Sequence, residues 1–107
     1  MTGPLQEPTF LILTALAAGP LHGYGVIQEV TQLSGGRVVL RPGTLYGAID
    51  RLAEQGLVRQ DGEEVVDGRL RRYYRLTDEG ATLLEAEAAR LASNAAHARR
   101  RLHTRTA

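Results

Sequence analysis

The sequence predicts a mostly α-helical fold that carries one small β-hairpin. Apolar residues recur at helical spacing in four segments, and an Asp-Gly pair stands between two extended runs. The last helical segment is longer than a small domain can cover, which indicates a helix that extends beyond the core. With 107 residues, 43% of them hydrophobic, the chain suits one small core that a second buried surface would help to stabilise.

The first half of the chain predicts three helices and a short strand. Residues 8–18 form the first helix, whose apolar residues cover more than one face, so we expect it to be buried on two sides. Residues 19–23, GPLHG, predict a break, and residues 23–33 predict the second helix. The segment RVVL, residues 37–40, predicts a short strand, and residues 42–55 predict the third helix.

The second half predicts a β-hairpin followed by a long final helix. Residues 57–66 and 69–76 are extended runs on either side of a two-residue turn. That turn fixes the predicted cross-strand pairs, which are Val66 with Arg69, Val65 with Leu70, Glu64 with Arg71 and Glu63 with Arg72. Thr77 is expected to cap the final helix, which runs to about Leu102. The predicted domains are residues 1–76 and a C-terminal helix with a basic tail, residues 77–107.

The third helix is predicted to have a core side and an exposed side. At 100° per residue, the core side consists of Leu45, Ala48, Ile49 and Leu52. The exposed side consists of Gly43, Gly47, Asp50 and Glu54, flanked by Thr44, Tyr46 and Arg51. Small or polar residues over the first two turns are typical of a helix that reads DNA bases.

Gly47 is central to this interpretation, because a glycine inside a helix costs about 1 kcal/mol relative to alanine and close approach to DNA would explain it. Arg51 would then pair with guanine, Thr44 would contact phosphate or a thymine methyl, and Tyr46 would contact phosphate. The alternative is that Gly47 packs against a neighbouring helix and the polar residues are solvated. The two exposed carboxylates oppose DNA binding unless they point away, pair with arginine or accept from cytosine.

The hairpin adds four arginines and no acid over residues 69–75, RLRRYYR. Arg69 and Arg75 have no acid opposite them, which suits a wing that rests on phosphates. Arg71 and Arg72 are equally well explained as members of cross-strand ion pairs, each worth roughly 0.2–1 kcal/mol. Tyr74 and Leu76, on one face of the strand, are expected to pack into the base of the domain.

The final helix carries a seam of small and apolar residues spaced by three and four, which predicts a dimer interface. The seam begins at Ala81 and continues through Leu84, Ala88, Leu91, Ala95, Ala98 and Leu102. A helix of about 25 residues is about 37 Å long, which exceeds what so small a domain covers. The alternative is that the helix packs only on its own domain.

Other classes of function are disfavoured by what the sequence lacks. There is no cysteine, and the three histidines, His22, His97 and His103, stand at no metal-ligand spacing. Neither a nucleophile–base arrangement nor a phosphate-binding loop is present, so we expect no enzyme activity, no metal and no cofactor. The N-terminus lacks the basic start of a signal peptide and the longest apolar stretch is too short to span a membrane, so we expect a cytoplasmic protein.

Three motifs, LHGYGVIQEV at 21–30, RPGTLYGAIDRLAEQGLV at 41–58 and DGRLRRYYRLTDEG at 67–80, resemble the PadR family of winged helix-turn-helix transcriptional regulators. The resemblance covers roughly residues 8–84, and the single C-terminal helix is similar to the smaller branch of the family. It implies a dimeric repressor that a small-molecule effector releases from an inverted-repeat operator in double-stranded DNA. The predicted DNA-contacting residues are Tyr24, Arg41, Thr44, Tyr46, Gly47, Arg51, Arg69, Arg71 and Arg72.

Two departures from the family pattern qualify the comparison. Asp50 is an unexpected acid on the recognition surface, and the chain has no tryptophan. Binding of flat drugs between paired tryptophans, known in some PadR-like proteins, therefore does not carry over. The alternative function is a winged-helix module that binds another protein without reading DNA, and the two exposed carboxylates of the third helix favour it.

Overall fold

The structure, a computed structural model, describes residues 3–105 and confirms a mostly helical fold with a small antiparallel sheet. Met1, Thr2, Thr106 and Ala107, at the outer ends of the two predicted domains, lie outside the described residues. In chain order the elements are α1 (Glu7–Ala17), β1 (Leu21–His22), α2 (Gly23–Leu33), α3 (Pro42–Glu54), β2 (Val58–Val66), β3 (Arg69–Leu76) and α4 (Asp78–Thr104).

The short strand lies elsewhere than predicted. Residues 37–40 form a loop, while β1 pairs antiparallel with β3 through Leu21 opposite Tyr74 and His22 opposite Tyr73. A two-residue strand carries no periodic signal, and its extended backbone depends on a partner more than 50 residues away in the chain. The segment at 37–40 has no such partner; its Val38 amide donates to the Ser34 hydroxyl at 2.9 Å instead.

The hairpin, called the wing below, has the predicted register. All four predicted cross-strand pairs are present. Asp67 and Gly68 both take positive φ, 52° and 74°, as a tight two-residue turn requires. A bulge between Gln60 and Glu63 leaves the pairing at the tip unchanged. The sheet order is β1-β3-β2, so β3 is its central strand.

The core lies where α1, α2, α3 and the start of β2 meet. Its fully buried side chains are Ile12, Leu13, Leu16, Val26, Val30, Leu45, Ile49 and Val58. The four residues predicted for the core side of α3 are all buried. Tyr74 and Leu76 pack against this cluster, as expected from their shared face on β3.

The helix α4 has a packed beginning and an extended remainder. Thr77 caps it by accepting from the Gly80 amide at 3.0 Å, and Leu83 and Leu84 pack against the core. Its 27 residues make a helix about 40 Å long. From Ala88 onward its described residues are exposed except for half-buried Ala96, because the helix has passed the end of the domain.

A buried carboxylate fixes the chain's beginning to α4. Glu87 accepts from the Leu5 amide at 2.7 Å and receives two hydrogen bonds from the Arg90 guanidinium, each 2.9 Å. The Arg90 hydrogen bonds, and then the Leu5 amide, lower the pKa of Glu87 from 4.5 to about 2. The carboxylate therefore stays charged at neutral pH although its side chain is buried.

At Gly80 we expect alanine to destabilise the fold, although alanine has the higher helix propensity. A Cβ at this position would overlap the Leu57 carbonyl oxygen and lie 2.8 Å from Leu76 Cδ1. We expect Gly80→Ala to lower the free energy of unfolding by about 1–3 kcal/mol through overpacking. The matched control is Gly47→Ala, where the nearest atom is Arg51 Nη1 at 3.6 Å, and alanine should stabilise the helix by up to about 1 kcal/mol. Urea unfolding of both variants tests this, and stabilisation by both would contradict it.

Candidate nucleic-acid interface

The exposed side of α3 is open over its first two turns. Pro42 occupies the first turn, where its missing amide hydrogen has no cost. No atom outside the helix backbone lies within 4 Å of where a Gly43 Cβ would stand, and only Arg51 approaches the corresponding position at Gly47. The alternative that Gly47 packs against a neighbouring helix is therefore wrong. Thr44, exposed between the two glycines, completes a surface with little side-chain bulk.

Arg51 lies one turn beyond Gly47 on the same side of α3. Its Nη1 atom is 3.6 Å from the position of a Gly47 Cβ, so the guanidinium reaches back along the helix toward the glycine surface. Among residues 3–105, Arg51 forms no ion pair, and neither do Asp50 and Glu54. Asp50 and Glu54 are therefore not neutralised by an arginine within the described residues, so near DNA they would have to point away or accept from cytosine.

Tyr46 packs onto the beginning of α2. A Cβ on Gly23 would overlap the Tyr46 hydroxyl and ring carbons, so the tyrosine occupies the space that a side chain would need. Gly23 is buried, while Tyr46 keeps 44% of its surface exposed. The sequence did not predict this contact at Gly23, although the two glycines flanking Tyr24 in HGYG were a visible signal of close packing.

The start of α2 is fixed from the opposite direction by His22. Its Nδ1 atom accepts from the Gly25 amide at 3.2 Å, which caps the helix. The ring also meets Tyr73 of β3 edge-on, with the ring centroids 5.5 Å apart. Tyr24, the next side chain along α2, is 63% exposed. His22 is therefore a capping and packing residue.

The wing separates its arginines into paired and unpaired groups. Arg72 donates to Glu63 at 3.1 Å, so the ion pair expected from the register forms. Glu64 accepts instead from the Tyr73 hydroxyl at 2.5 Å, a hydrogen bond that is the main cause raising the pKa of this tyrosine. Arg71, opposite Glu64 in the register, therefore forms no ion pair in the part of the chain described.

Arg69, at the wing tip, is exposed, and it too lacks an ion pair within the described residues. Arg41, which precedes α3 as its N-cap residue, is likewise exposed, and its side chain makes no capping hydrogen bond. Unpaired guanidinium groups thus stand before α3, along α3 and at the tip of the wing. Such groups keep all their donors available for an anion.

Tyr74 of β3 lies near two residues of α3, Tyr46 and Asp50. Burial raises the pKa of the Tyr74 hydroxyl, the nearby Tyr46 and Asp50 raise it further, and Arg72 opposes them. Asp50 therefore lies toward β3, on the side of α3 that Tyr46 also occupies. It is displaced from the line of Gly43, Gly47 and Arg51. Glu54, exposed one turn beyond Arg51, is the carboxylate that remains on that side of the helix.

The predicted dimer seam of α4 divides into two parts. Leu84 packs against the chain's own core, which the alternative of intramolecular packing explains. Ala88, Ala95 and Ala98 are exposed, as are Leu91 at 41% and Leu102 at 61%. Intramolecular packing does not account for these five residues.

The described residues form neither a metal site nor a membrane-spanning helix. Within 3–105, no group of three or more His, Cys, Asp or Glu side chains is arranged to hold a metal ion. None of the helices described is both long and apolar enough to cross a membrane.

Comparison with known proteins gives a consistent family match. The sequence model of the transcriptional regulator PadR-like family matches residues 12–86. Transcriptional regulator Rv3488 of Mycobacterium tuberculosis is 42% identical over 73 residues, which are 68% of this chain and 64% of that protein. An uncharacterized 37.1 kDa protein in transposon TN4556 of Streptomyces fradiae is 49% identical over 83 residues, 78% of this chain. The chain spans 22% of that protein's length, and less than two thirds of either relative.

Solved structures share the fold at lower identity. A PadR family transcription regulator from Clostridium difficile superposes with a TM-score of 0.72 at 24% identity, covering 91% of this chain and 99% of that one. Bacillus subtilis PadR, solved in complex with operator DNA, gives a TM-score of 0.67 at 21% identity. That match covers 76% of this chain and 47% of the other.

Proposed function

The chain belongs to the PadR-like family of transcriptional regulators, and we propose that it acts as a dimer that binds an inverted-repeat operator through α3 and the wing. The observation that carries this proposal is the open exposed side of α3. Its first two turns present glycine and threonine to the outside, and an unpaired arginine follows them. The PadR-like family and Rv3488 are transcriptional regulators, which supports the expectation that the chain is not an enzyme.

Base reading is assigned to the first two turns of α3 and to Arg51. Gly43 and Gly47 allow the helix backbone to approach the floor of the major groove, and Thr44 between them reaches a base edge, a thymine methyl or a phosphate. Arg51 has a free guanidinium, whose bidentate geometry suits the O6 and N7 atoms of guanine. The operator complex of Bacillus subtilis PadR, which shares this fold, supports DNA as the partner.

Phosphate contacts are assigned to the residues around that surface. Arg69 and Arg71 have no carboxylate partner in the described chain and lie on the wing, so they suit the flanking backbone. Arg72 already forms an ion pair with Glu63. It is therefore expected to contribute less to phosphate binding than the other predicted DNA-contacting arginines. Tyr24, Arg41 and the Tyr46 hydroxyl, all on exposed residues, are assigned to phosphates near the start of α3.

The dimer is assigned to the exposed part of the α4 seam. Two copies of the helix that bury Leu91, Ala95 and Leu102 against each other would cover surface that the single chain leaves open. A two-fold dimer presents two copies of α3, which calls for inverted half-sites whose centres lie about 34–36 Å apart or a multiple of that distance.

Repression released by a small-molecule effector is the regulatory part of the proposal. An open groove of about 890 Å³ lies beside the beginning of α4, with Leu57, Leu83 and Ala86 among its lining residues. A volume of this size is typical of small-molecule sites. A ligand there would touch the packed beginning of the helix that carries the seam, and could thereby change how the two copies of α3 are presented.

The first prediction separates base reading from phosphate contact. Arg51→Ala should weaken binding to the preferred duplex by about 1–3 kcal/mol and affect random duplex less. Arg69→Ala should weaken both duplexes about equally and reduce the salt slope by about one, because one released counterion is lost. The matched control is Arg72→Ala, which should have the smaller effect because its guanidinium is paired.

Titrations of selected and random duplexes at several salt concentrations measure all three variants. Equal losses on both duplexes for Arg51→Ala would demote Arg51 to a phosphate contact. Absence of any salt-sensitive duplex binding by the unaltered protein would favour the alternative function, a module that binds another protein.

The second prediction concerns Gly47. Gly47→Ala should stabilise the fold by up to about 1 kcal/mol, because the new methyl group would meet no neighbouring element and approach only the Arg51 side chain of its own helix, at 3.6 Å. The same change should weaken operator binding tenfold or more, about 1.4 kcal/mol, because the methyl group holds the helix away from the groove floor. Thermal unfolding and operator titration are measured on the same sample. A stabilised variant with unchanged operator affinity would contradict the close approach.

The third prediction tests the dimer. Replacing Leu91 and Ala95 by glutamate should give monomers in sedimentation, since the charges would face each other across the seam. The matched control carries Ala89→Glu with Ser93→Glu, two exposed positions of the same helix away from the seam, and should remain dimeric. A folded dimer with both seam substitutions would rule out this interface.

A further inference from the structure

We infer that Tyr46 is a positioning residue whose ring, seated on Gly23, sets the angle at which α3 is presented to DNA. The inference rests on the proposed function and gives Tyr46 a second role besides the phosphate contact of its hydroxyl. It also explains why α2 starts with a glycine, a residue that destabilises helices elsewhere.

The contact joins the two helices of the helix-turn-helix at one point. Gly23 is the first residue of α2 and is buried, and the space above its Cα is filled by the hydroxyl end of the Tyr46 ring. Tyr46 belongs to the second turn of α3, between Thr44 and Gly47. A change in how closely the ring approaches α2 therefore tilts the turns that carry the exposed surface.

The position of Gly23 is itself held from two sides, so the ring rests on a fixed support. The preceding residue, His22, caps α2 and meets Tyr73 of the central strand edge-on. Its backbone pairs with β3 through the register of His22 opposite Tyr73. Since β3 also belongs to the wing, the same support relates the position of α3 to that of the wing.

The hydroxyl and the ring of Tyr46 have separable tasks. Within residues 3–105 the hydroxyl has no hydrogen-bond partner, which leaves it available to a phosphate. The hydroxyl is the atom nearest Gly23, and the ring carbons Cζ and Cε1 lie directly behind it, so phenylalanine would keep the ring part of the contact. The conservative substitution therefore removes one role and keeps the other.

The test uses the full chain and compares five variants for operator affinity, random-duplex affinity and base preference in selection from random duplexes. Tyr46→Phe should lose about 2- to 10-fold on both duplexes, as expected for one hydrogen bond, with the selected sequence unchanged. Tyr46→Ala should lower the ratio of operator to random-duplex affinity by tenfold or more. Gly23→Ala should do the same, because its methyl group displaces the ring.

The matched control is Gly25→Ala, in the same turn of α2. A Cβ there meets His22 and Leu21 only at ordinary contact distances of 3.6–3.7 Å. It should leave the affinity ratio within about twofold. Circular dichroism establishes that each variant is folded; if Gly23→Ala does not fold, the comparison of Tyr46→Phe with Tyr46→Ala still decides the question.

The double variant supplies the decisive comparison. In the Tyr46→Ala background, Gly23→Ala should change the affinity ratio by less than about twofold, because no ring remains to be displaced. Equal factors for Gly23→Ala in both backgrounds, or loss of base preference in Tyr46→Phe, would overturn the inference while the proposed function stands. Failure of the unaltered protein to bind duplex DNA would instead overturn the proposed function.

Discussion

The apolar stripe of α3 packs into the core beside α1, α2 and the start of β2, and this burial decides what the helix presents on its other side. Leu45 and Ile49 are almost completely inaccessible to solvent, so rotating α3 about its axis would expose both and cost several kcal/mol by area. The helical period then places Gly43, Gly47 and Arg51 outward without any further interaction. A surface made of glycines has almost no packing of its own, so its orientation comes from the buried side of the helix and from the contact of Tyr46 with Gly23.

Which arginines are free to bind an anion is decided by their neighbours, because the chain as a whole carries a formal charge of only +1. On the wing, a cross-strand carboxylate engages Arg72, whereas Tyr73 takes the carboxylate that Arg71 faces in the register. The exposed ion pair contributes little stability, so its main consequence is to lower the availability of one guanidinium. A modestly charged chain can in this way concentrate unpaired arginines at the wing tip and beside α3, where an anionic duplex would meet them.

The parts of the fold that sequence predicts well depend on local chemistry, and the parts that it predicts poorly depend on contacts between distant residues. The side of α3 that is buried follows from its period, and the wing register follows from a two-residue turn with positive φ. In contrast, β1 exists because β3 pairs with it, and the importance of Gly23 arises from a side chain 23 positions later. The competition of Tyr73 for Glu64 is similar: alternation along the strand gives the register, but it does not rank two donors for one carboxylate.

In the proposed dimer, the geometry between the two recognition helices depends on how rigidly α4 is joined to the rest of each chain. Three contacts make that joint: Gly80 lies against the Leu57 backbone, Leu84 packs on the core, and Glu87 holds the Leu5 amide. All three lie in the first ten residues of α4, and the seam residues beyond them extend along a helix about 40 Å long. A small rotation at the joint is therefore amplified along α4: a tilt of about 5° at Glu87 would displace the helix end, about 26 Å further on, by about 2 Å. The groove beside Leu57 and Leu83 opens at this joint. A ligand bound there would therefore act where a small movement of α4 produces a larger change in the distance between the two copies of α3.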